Sequence, residues 1–153
     1  MEFATTRFGT LAVPEHEIID FPAGLPGFED AKRFITVESD ETDPFVWLQS
    51  LSRPDLAFLT IPPQLIVRDY RPEVPPEARE ALRLNDDSVV EVLAIVTVPE
   101  DPREMTANLR APIIINRSAR VGRQEVELSG RHPLRQRICQ ANPSGDKKAV
   151  AGR

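Results

Sequence analysis

Proline is the residue that most constrains how this chain can fold. The 153 residues include 15 prolines, about twice the usual share of roughly 5%. Because proline fixes φ and lacks a backbone N–H, long helices and wide sheets with unbroken hydrogen-bond ladders are disfavoured. The sequence therefore predicts short elements joined by stiff turns. A chain of this length, 41% of it hydrophobic, can bury the core of a single domain.

Apolar runs of strand length, separated by turn residues, predict a mainly β protein. Residues 1–13 are expected to form two short strands around a turn at Gly9, and the sequence G-L-P-G at 24–27 marks a tight connection. Further strands are predicted at 17–21, 33–38, 45–51, 56–61, 89–98 and 113–115. Their spacing is typical of a β-sandwich or a β-barrel. In 89–98, seven of ten residues are β-branched, which indicates a central strand buried on both faces.

The run 123–128 alternates between apolar and acidic residues, and this predicts a half-exposed strand. Val126 and Leu128 are expected to face the core, because alternate side chains of a strand lie on the same face. By the same alternation, Glu125 and Glu127 are expected to face solvent.

One short helix is expected after the consecutive prolines at 75 and 76. Proline is favoured in the first turn of a helix, and Ala78, Ala81 and Leu82 would share one face. The helix must end before the turn sequence N-D-D-S at 85–88. Weaker patterns predict a single helical turn at 107–110 and a short helix or strand at 134–138. The domain is expected to span 1–140, with a polar tail at 141–153 that is disordered.

The charge is distributed unevenly along the chain. The formal net charge is −5, but residues 1–116 carry 10 basic and 21 acidic side chains, a net of −11. From residue 117 onward there are 9 basic and 3 acidic side chains, a net of +6. An acidic body can steer a basic partner into contact and repels nucleic acid. Ordinary solvation of both regions is the alternative.

No motif for catalysis, metal binding or nucleotide binding is present, and the sequence predicts a protein that is not an enzyme. His16, His132 and Cys139 are too widely spaced for a recognisable ligand pattern. There is no nucleophile motif and no phosphate-binding glycine loop. The acidic loop at 38–43 is explained by solvation, with a weak cation site as the alternative. The chain also has no apolar leader and no apolar run of about 18 residues, so a cytoplasmic location without membrane contact is expected.

Direct RNA binding is disfavoured as well. Small barrels bind single strands through exposed aromatics in a basic groove. Here the phenylalanines at 21, 34, 45 and 58 lie in or beside apolar runs, where packing in the core is the expected role.

Several segments taken in order resemble the flagellar assembly factor FliW family. The likeness extends from about Phe3 to Ile138, and Gly122-Arg123-Gln124 matches the family's G-x-Q pattern. The other matching segments are I-D-F-P-A-G-L-P-G-F-E (19–29), P-F-V-W-L-Q-S (44–50), V-T-V-P (96–99) and A-N-L-R-A-P-I-I-I-N (107–116). Each segment alone is weakly specific for the family, whereas the ordered set of segments is fairly specific.

The resemblance implies a fold, a regulatory role and two protein partners. The fold is a small closed or partly open antiparallel β-barrel with one or two short helices. The partners are CsrA, a basic RNA-binding protein that represses translation of flagellin mRNA, and flagellin itself. Flagellin that accumulates in the cytoplasm occupies the factor and releases CsrA, and export of flagellin reverses this. No cofactor is implied.

Candidate contact residues follow from the residue types and their positions. Phe28, an aromatic in a loop, can supply contact area to a partner, and the acidic side chains can steer a basic one. Gln49, Asn108 and Asn116 are candidates whose alternative role is to bond backbone groups at strand ends and turns. The full set is Phe28, Glu38, Asp40, Gln49, Asp86, Asp87, Asn108 and Asn116. The remaining functional alternative is a general peptide-binding chaperone or scaffold that pairs an exposed β-edge with an extended segment.

Overall fold

A computed structural model describes residues 1–138. In this range the chain forms eleven short strands and one α-helix, α1 (Pro76–Ala81). The strands are β1 (Glu2–Thr5), β2 (Gly9–Ala12), β3 (Ile19–Asp20), β4 (Arg33–Val37), β5 (Val46–Ser50), β6 (Ala57–Ile61), β7 (Val90–Thr97), β8 (Thr106–Ala107), β9 (Ile113–Asn116), β10 (Val121–Gln124) and β11 (Gln136–Arg137). The expectations for Cys139, for the domain boundary at 140 and for the tail at 141–153 lie outside the described residues.

Seven of the strands close into a barrel, as the resemblance implied. Neighbours follow the order β7, β6, β5, β4, β3, β10, β9, and β9 pairs with β7 to complete the ring. Every pairing is antiparallel except that of β3 with β10, which is parallel and consists of the single pair Asp20 and Val121. β8 and β11 extend the edge of β7. The hairpin of β1 and β2 is a separate two-stranded sheet.

The interior of the barrel is filled by side chains from β3, β4, β5, β7 and β9. Phe34, Leu48, Leu93, Ile113 and Ile115 are fully buried in one cluster, because alternate residues of each strand face the same side of the sheet. Of the two remaining strands, β6 adds Phe58 to this cluster, and β10 places Gly122 against the ring of Phe21.

Three outer layers cover the other face of the barrel. The β1–β2 hairpin packs against Ile35 on β4, and α1 leads into Leu82, which packs on Ile114 of β9 and Val121 of β10. The segment around Tyr70 covers Ala94 on β7. Apolar side chains therefore line both faces of these strands, which explains why short strands suffice for a core of this size.

The structure confirms most of the predicted elements and corrects three. The turn of the first hairpin lies at 6–8, and Gly9 begins β2 instead of forming the turn. β7 is central, with Leu93 and Ala94 both at 0% exposure on opposite faces, but its end residue Val90 is 46% exposed. The predicted helical turn at 107–110 is wrong. Ala107 belongs to β8, and the side chain of Asn108 then accepts hydrogen bonds from the backbone N–H groups of the residues at 110 and 111, which closes a turn of another kind.

The predicted facing of residues 123–128 is also wrong. The chain beyond β10 stays extended as far as Glu127, because Glu125 and Glu127 donate their backbone N–H groups to the carbonyls of Pro112 and Arg110. It then bends at Leu128 and Ser129. Glu127 is only 5% exposed, whereas Val126 is 55% and Leu128 is 89% exposed. The alternation is real, but the acidic side points inward because Glu127 has a buried partner, described below.

Glycine is required at two close approaches. Gly24 has φ +64°, and a Cβ there would lie 2.6 Å from the Cα of Glu29. A Cβ at Gly122 would lie 2.5 Å from the ring of Phe21, which is fully buried. The G-x-Q pattern is therefore explained in part by packing against a core aromatic.

We expect Gly122→Ala to lower the free energy of unfolding by about 1–3 kcal/mol, because the added methyl overpacks the core. Urea unfolding of the purified variant measures this. The double variant Gly122→Ala/Phe21→Leu should lose less free energy of unfolding than the sum of the losses in the two single variants, because the two side chains are in contact. An unchanged midpoint for the single glycine variant contradicts the argument.

Candidate partner-binding surfaces

The directions of the barrel strands sort the candidate residues into two ends. β4, β6 and β9 run toward one end, and β5, β7 and β10 begin there. The loops at 38–45, 62–89 and 117–120 therefore lie at this end, which we call the acidic mouth. The loops at 21–32 and 51–56 lie at the opposite end. Four predicted acidic candidates thus lie at one end of the barrel, and Phe28 lies at the other.

The acidic mouth is held together by Arg117. Its Nε donates to Glu91 on β7 at 2.9 Å, its Nη2 contacts the same carboxylate, and Nη2 also donates to the hydroxyl of Thr36 on β4 at 2.9 Å. These contacts join opposite sides of the barrel opening. Because Thr36 precedes the loop that carries Glu38, and Glu91 follows the turn that carries Asp86, the two acidic loops flank the same opening.

The acidic candidates at this mouth are all on the surface. Glu38 and Asp40 are exposed between β4 and β5, and Asp86 and Asp87 are exposed in the turn before β7. That turn is fixed locally, since the Oδ1 atom of Asn85 accepts the N–H of Asp87 at 2.8 Å. Exposed carboxylates in this arrangement can attract a basic surface without a desolvation cost in the free protein.

Aromatic and arginine side chains form a second surface, which begins at the opposite end and continues along the outer wall of β5. Phe28 is half-buried, with its ring edge against Phe58 at a centroid distance of 5.4 Å, and the guanidinium of Arg53 lies 5.5 Å from its ring. Farther along the outer wall, toward the acidic mouth, Trp47 pairs with Val37 of β4, and the guanidinium of Arg7 lies 4.0 Å over its ring. We call Phe28, Arg53, Arg7 and Trp47 the aromatic–arginine surface.

The two halves of this surface are joined through one turn. The backbone N–H of Thr6 donates to the carbonyl of Pro54 at 2.9 Å, which ties the β1–β2 turn to the turn that carries Arg53. Sequence reasoning missed Arg7 and Trp47. The signal for Trp47 was available, because it alternates with Val46 and Leu48 and therefore points out of the barrel.

Gln49 lies beneath this surface and is completely buried. Its Nε2 donates to the carbonyls of Ser50, Pro54 and Leu56 at 2.9, 3.3 and 3.1 Å, so it fixes the shape of the turn between β5 and β6. Its Oε1 has no hydrogen-bond partner among the described residues. Gln49 also lines a cleft of about 290 Å³ together with Thr6, Arg7, Pro54, Asp55 and Ala57.

Asn116 and Asn108 also bond the backbone. Asn116 is 1% exposed. Its Nδ2 donates to the carbonyls of Leu82 and Arg83 at 2.8 and 3.2 Å, and its Oδ1 accepts the N–H of Ser118 at 3.0 Å. It therefore fastens the end of α1 to the end of β9. Asn108 is half-buried in its turn.

We expect Asn116→Ala to lower the free energy of unfolding by about 2–4 kcal/mol, because buried carbonyls and amides lose their partners together. Thermal and urea unfolding measure the effect. Gln64→Ala is the matched control, since this amide side chain is exposed and its removal should cost less than about 0.5 kcal/mol. Equal losses in the two variants would refute a structural role for Asn116.

A buried acid–histidine pair lies behind residues 125–128. Glu127 accepts the backbone N–H of His132 at 2.7 Å and contacts its Nδ1 at 2.6 Å. The side chains of Glu127 and His132 are 1% and 14% exposed. Tyr70 stacks on the histidine ring at 4.5 Å and donates its hydroxyl to the carbonyl of Leu109 at 2.7 Å. Burial and the nearby carboxylates raise the pKa of Tyr70 to about 12, so the hydroxyl stays protonated.

The pair gives Glu127 a pKa below its usual value. Burial acts to raise the pKa of Glu127, but the hydrogen bonds from the side chain and backbone of His132 outweigh burial. A carboxyl whose pKa is lowered by folding adds stability above its unfolded pKa, about 4.3 for glutamate. That stability is lost as the pH falls through the lower folded value.

We expect Glu127→Gln to lower the free energy of unfolding at pH 7 by about 1–3 kcal/mol, because a charge-assisted hydrogen bond is replaced by a neutral one. The difference from the unaltered chain should shrink as the pH falls below about 4. Urea unfolding at several pH values tests this, with the exposed Glu41→Gln as control. A difference that does not change with pH would show that the charge of Glu127 contributes nothing.

Within residues 1–138, no group of three or more histidine, cysteine or acidic side chains converges as a metal site would require. No helix in the part of the chain that the structure describes is long and apolar enough to cross a membrane.

The fold defines a class, that of small closed β-barrels with one short helix. The family model described as FliW protein matches residues 2–138. The chain is 40% identical over 142 residues to the flagellar assembly factor FliW of Leptospira interrogans serovar Lai, covering 92% of this chain and 95% of the relative. It is 41% identical over 138 residues to that of Desulfitobacterium hafniense strain DCB-2, covering 88% and 91%.

A solved structure agrees with these sequence relatives. The crystal structure of a flagellar assembly factor FliW superposes with a TM-score of 0.83 at 31% identity, covering 95% of this chain and 99% of the other. The chain belongs to the FliW family of flagellar assembly factors.

Proposed function

We propose that this chain is a non-enzymatic regulator of flagellum assembly that binds CsrA and cytoplasmic flagellin in turn. The observation that carries the proposal is the family match, which extends over residues 2–138. Bound CsrA is held away from flagellin mRNA. Flagellin that accumulates before export occupies the chain and releases CsrA, so that synthesis of flagellin follows its export.

The acidic mouth is the proposed contact for CsrA. CsrA is a basic RNA-binding protein, and the exposed Glu38, Asp40, Asp86 and Asp87 flank one opening of the barrel. Complementary charge mainly raises the rate of association and makes it sensitive to salt. This geometry favours a protein partner over RNA at this end, because phosphates would meet carboxylates.

The aromatic–arginine surface is the proposed contact for flagellin. Phe28 and Trp47 supply half-buried rings that a partner can cover, and aromatic and arginine side chains are the residue types that contribute most at protein interfaces. Gln49 and Asn116 are buried, so any effect of these residues on binding is indirect, through the shape of their turns.

We expect Glu38→Lys combined with Asp40→Lys to slow association with CsrA by about tenfold at low salt and to flatten its salt dependence, because steering charges are reversed. Stopped-flow mixing at several salt concentrations measures both. Asp55→Lys combined with Glu100→Lys is the control, because these exposed acids lie outside the acidic mouth. Calorimetric titration of the unaltered chain with CsrA, with and without flagellin, tests the exchange itself.

Two results would count against this proposal. Absence of binding to both proteins from the same organism would remove the assigned partners. Equal CsrA affinity with and without saturating flagellin would leave two partners but no exchange between them.

A further inference from the structure

The segment 125–128 exposes its apolar side chains and buries an acidic one. Val126 and Leu128 are 55% and 89% exposed, while Glu127 is 5% exposed. The bonds between Glu127 and His132 hold this orientation. Burying a carboxylate is costly unless it is paired. The hydrogen bonds from His132 offset that cost for Glu127, and the two aliphatic side chains consequently stay at the surface.

The same segment has an open backbone edge. Glu125 and Glu127 direct their N–H groups to residues 110–112, and successive residues of an extended chain direct theirs to opposite edges. The N–H groups of Val126 and Leu128 accordingly have no hydrogen-bond partner within residues 1–138. An edge of this kind is a template for pairing with another strand.

A groove runs beside this edge. Its volume is about 280 Å³, and it is lined by Glu73, Val74, Pro75, Glu77, Glu125, Val126 and Leu128. One end is closed where Ser129 bonds Glu73 through both its N–H and its hydroxyl. The surface thus combines aliphatic side chains with carboxylates along both walls.

The charges of the groove define what it can accept. Glu125 is paired with Arg123 at 2.9 Å, and Glu73 is 3.8 Å from Arg131. Glu77 makes no ion pair with any residue that the structure describes. A ligand that brings positive charge to this wall gains the most, and one that brings negative charge is repelled.

We propose that residues 125–128 bind an extended segment of a partner protein by strand addition, and that this segment alternates aliphatic with basic residues. Its backbone pairs with the free N–H and C=O groups of Val126 and Leu128. Its aliphatic side chains cover Val126, Leu128 and Val74, and its basic side chains reach Glu77. Strand addition of this kind obtains affinity from the backbone and specificity from alternate side chains.

The groove is lined in part by residues 73–77 of the loop that also carries Asp86 and Asp87, but none of the residues assigned above to CsrA or flagellin lines it. It adds a third contact, and its test therefore uses a peptide rather than either protein. A failure of the peptide to bind leaves the CsrA and flagellin titrations unaffected, and the two proposals can be wrong independently.

The probe is a fluorescein-labelled hexapeptide of alternating lysine and valine, titrated against the full chain by fluorescence anisotropy. Saturable binding is expected.

Val126→Pro removes an N–H that no described residue uses, and it should weaken binding at least about tenfold. Leu128→Ser, at a position 89% exposed, should weaken binding by about tenfold through lost apolar contact. Glu2→Lys, an exposed charge on the hairpin, should leave affinity within about twofold.

Two altered peptides distinguish strand addition from charge attraction alone. N-methylation of the valines blocks backbone pairing and should abolish saturable binding, while glutamate in place of lysine should also abolish it. Equal binding of the methylated peptide would overturn the proposal. Self-association of the unaltered chain that is lost on Val126→Pro, measured by sedimentation, would also overturn it, because the edge would then pair with a second copy.

Discussion

Closure of the barrel through β9 is the constraint on which the rest of the structure depends. Ile113, Ile114 and Ile115 are all fully buried, because β9 pairs with β7 on one side and β10 on the other while packing on both faces. The opposite junction, between β3 and β10, has a single residue pair and relies on Gly122 lying flat against Phe21. With the ring closed, the loops are sorted into two ends, and the surfaces assigned to the partners follow from that sorting.

Local pattern was sufficient where one interaction dominated. The β-branched run at 89–98 correctly predicted the central strand β7, and the prolines at 75 and 76 correctly predicted the start of α1. The segments that resemble FliW correctly predicted the barrel. Asn108 has the turn-closing role offered as one of its two readings. The acidic candidates lie on the surface, and the sequence could predict their exposure. It could not predict that the loops at 38–43 and 85–88 flank one opening, because the order of the strands is a property of the closed barrel.

The failure at 123–128 has a different physical cause. The alternation of valine, glutamate and leucine has a period of two whichever face is buried. Hydrophobicity alone predicts that the aliphatic face is buried, and here that prediction is wrong. His132 reverses the choice, since it supplies a backbone and a side-chain partner to Glu127 at hydrogen-bond distance. Nothing in a linear pattern indicates that a histidine five residues later will compensate a buried carboxylate. Gln49 and Asn116 follow the same principle, because their buried amides serve backbone groups distant in sequence.

The position of Trp47 has a practical consequence. It is the single tryptophan of the chain, it is half-buried, and a guanidinium lies 4.0 Å from its ring. An indole in such a setting changes its emission when a neighbouring cation is displaced or when water is excluded from it. The unlabelled protein thus carries an optical reporter on the outer wall of β5, close to the β1–β2 hairpin and, through its pairing with Val37, close to the acidic loop at 38–43. Coverage of this wall by a partner can therefore be followed in a single cuvette.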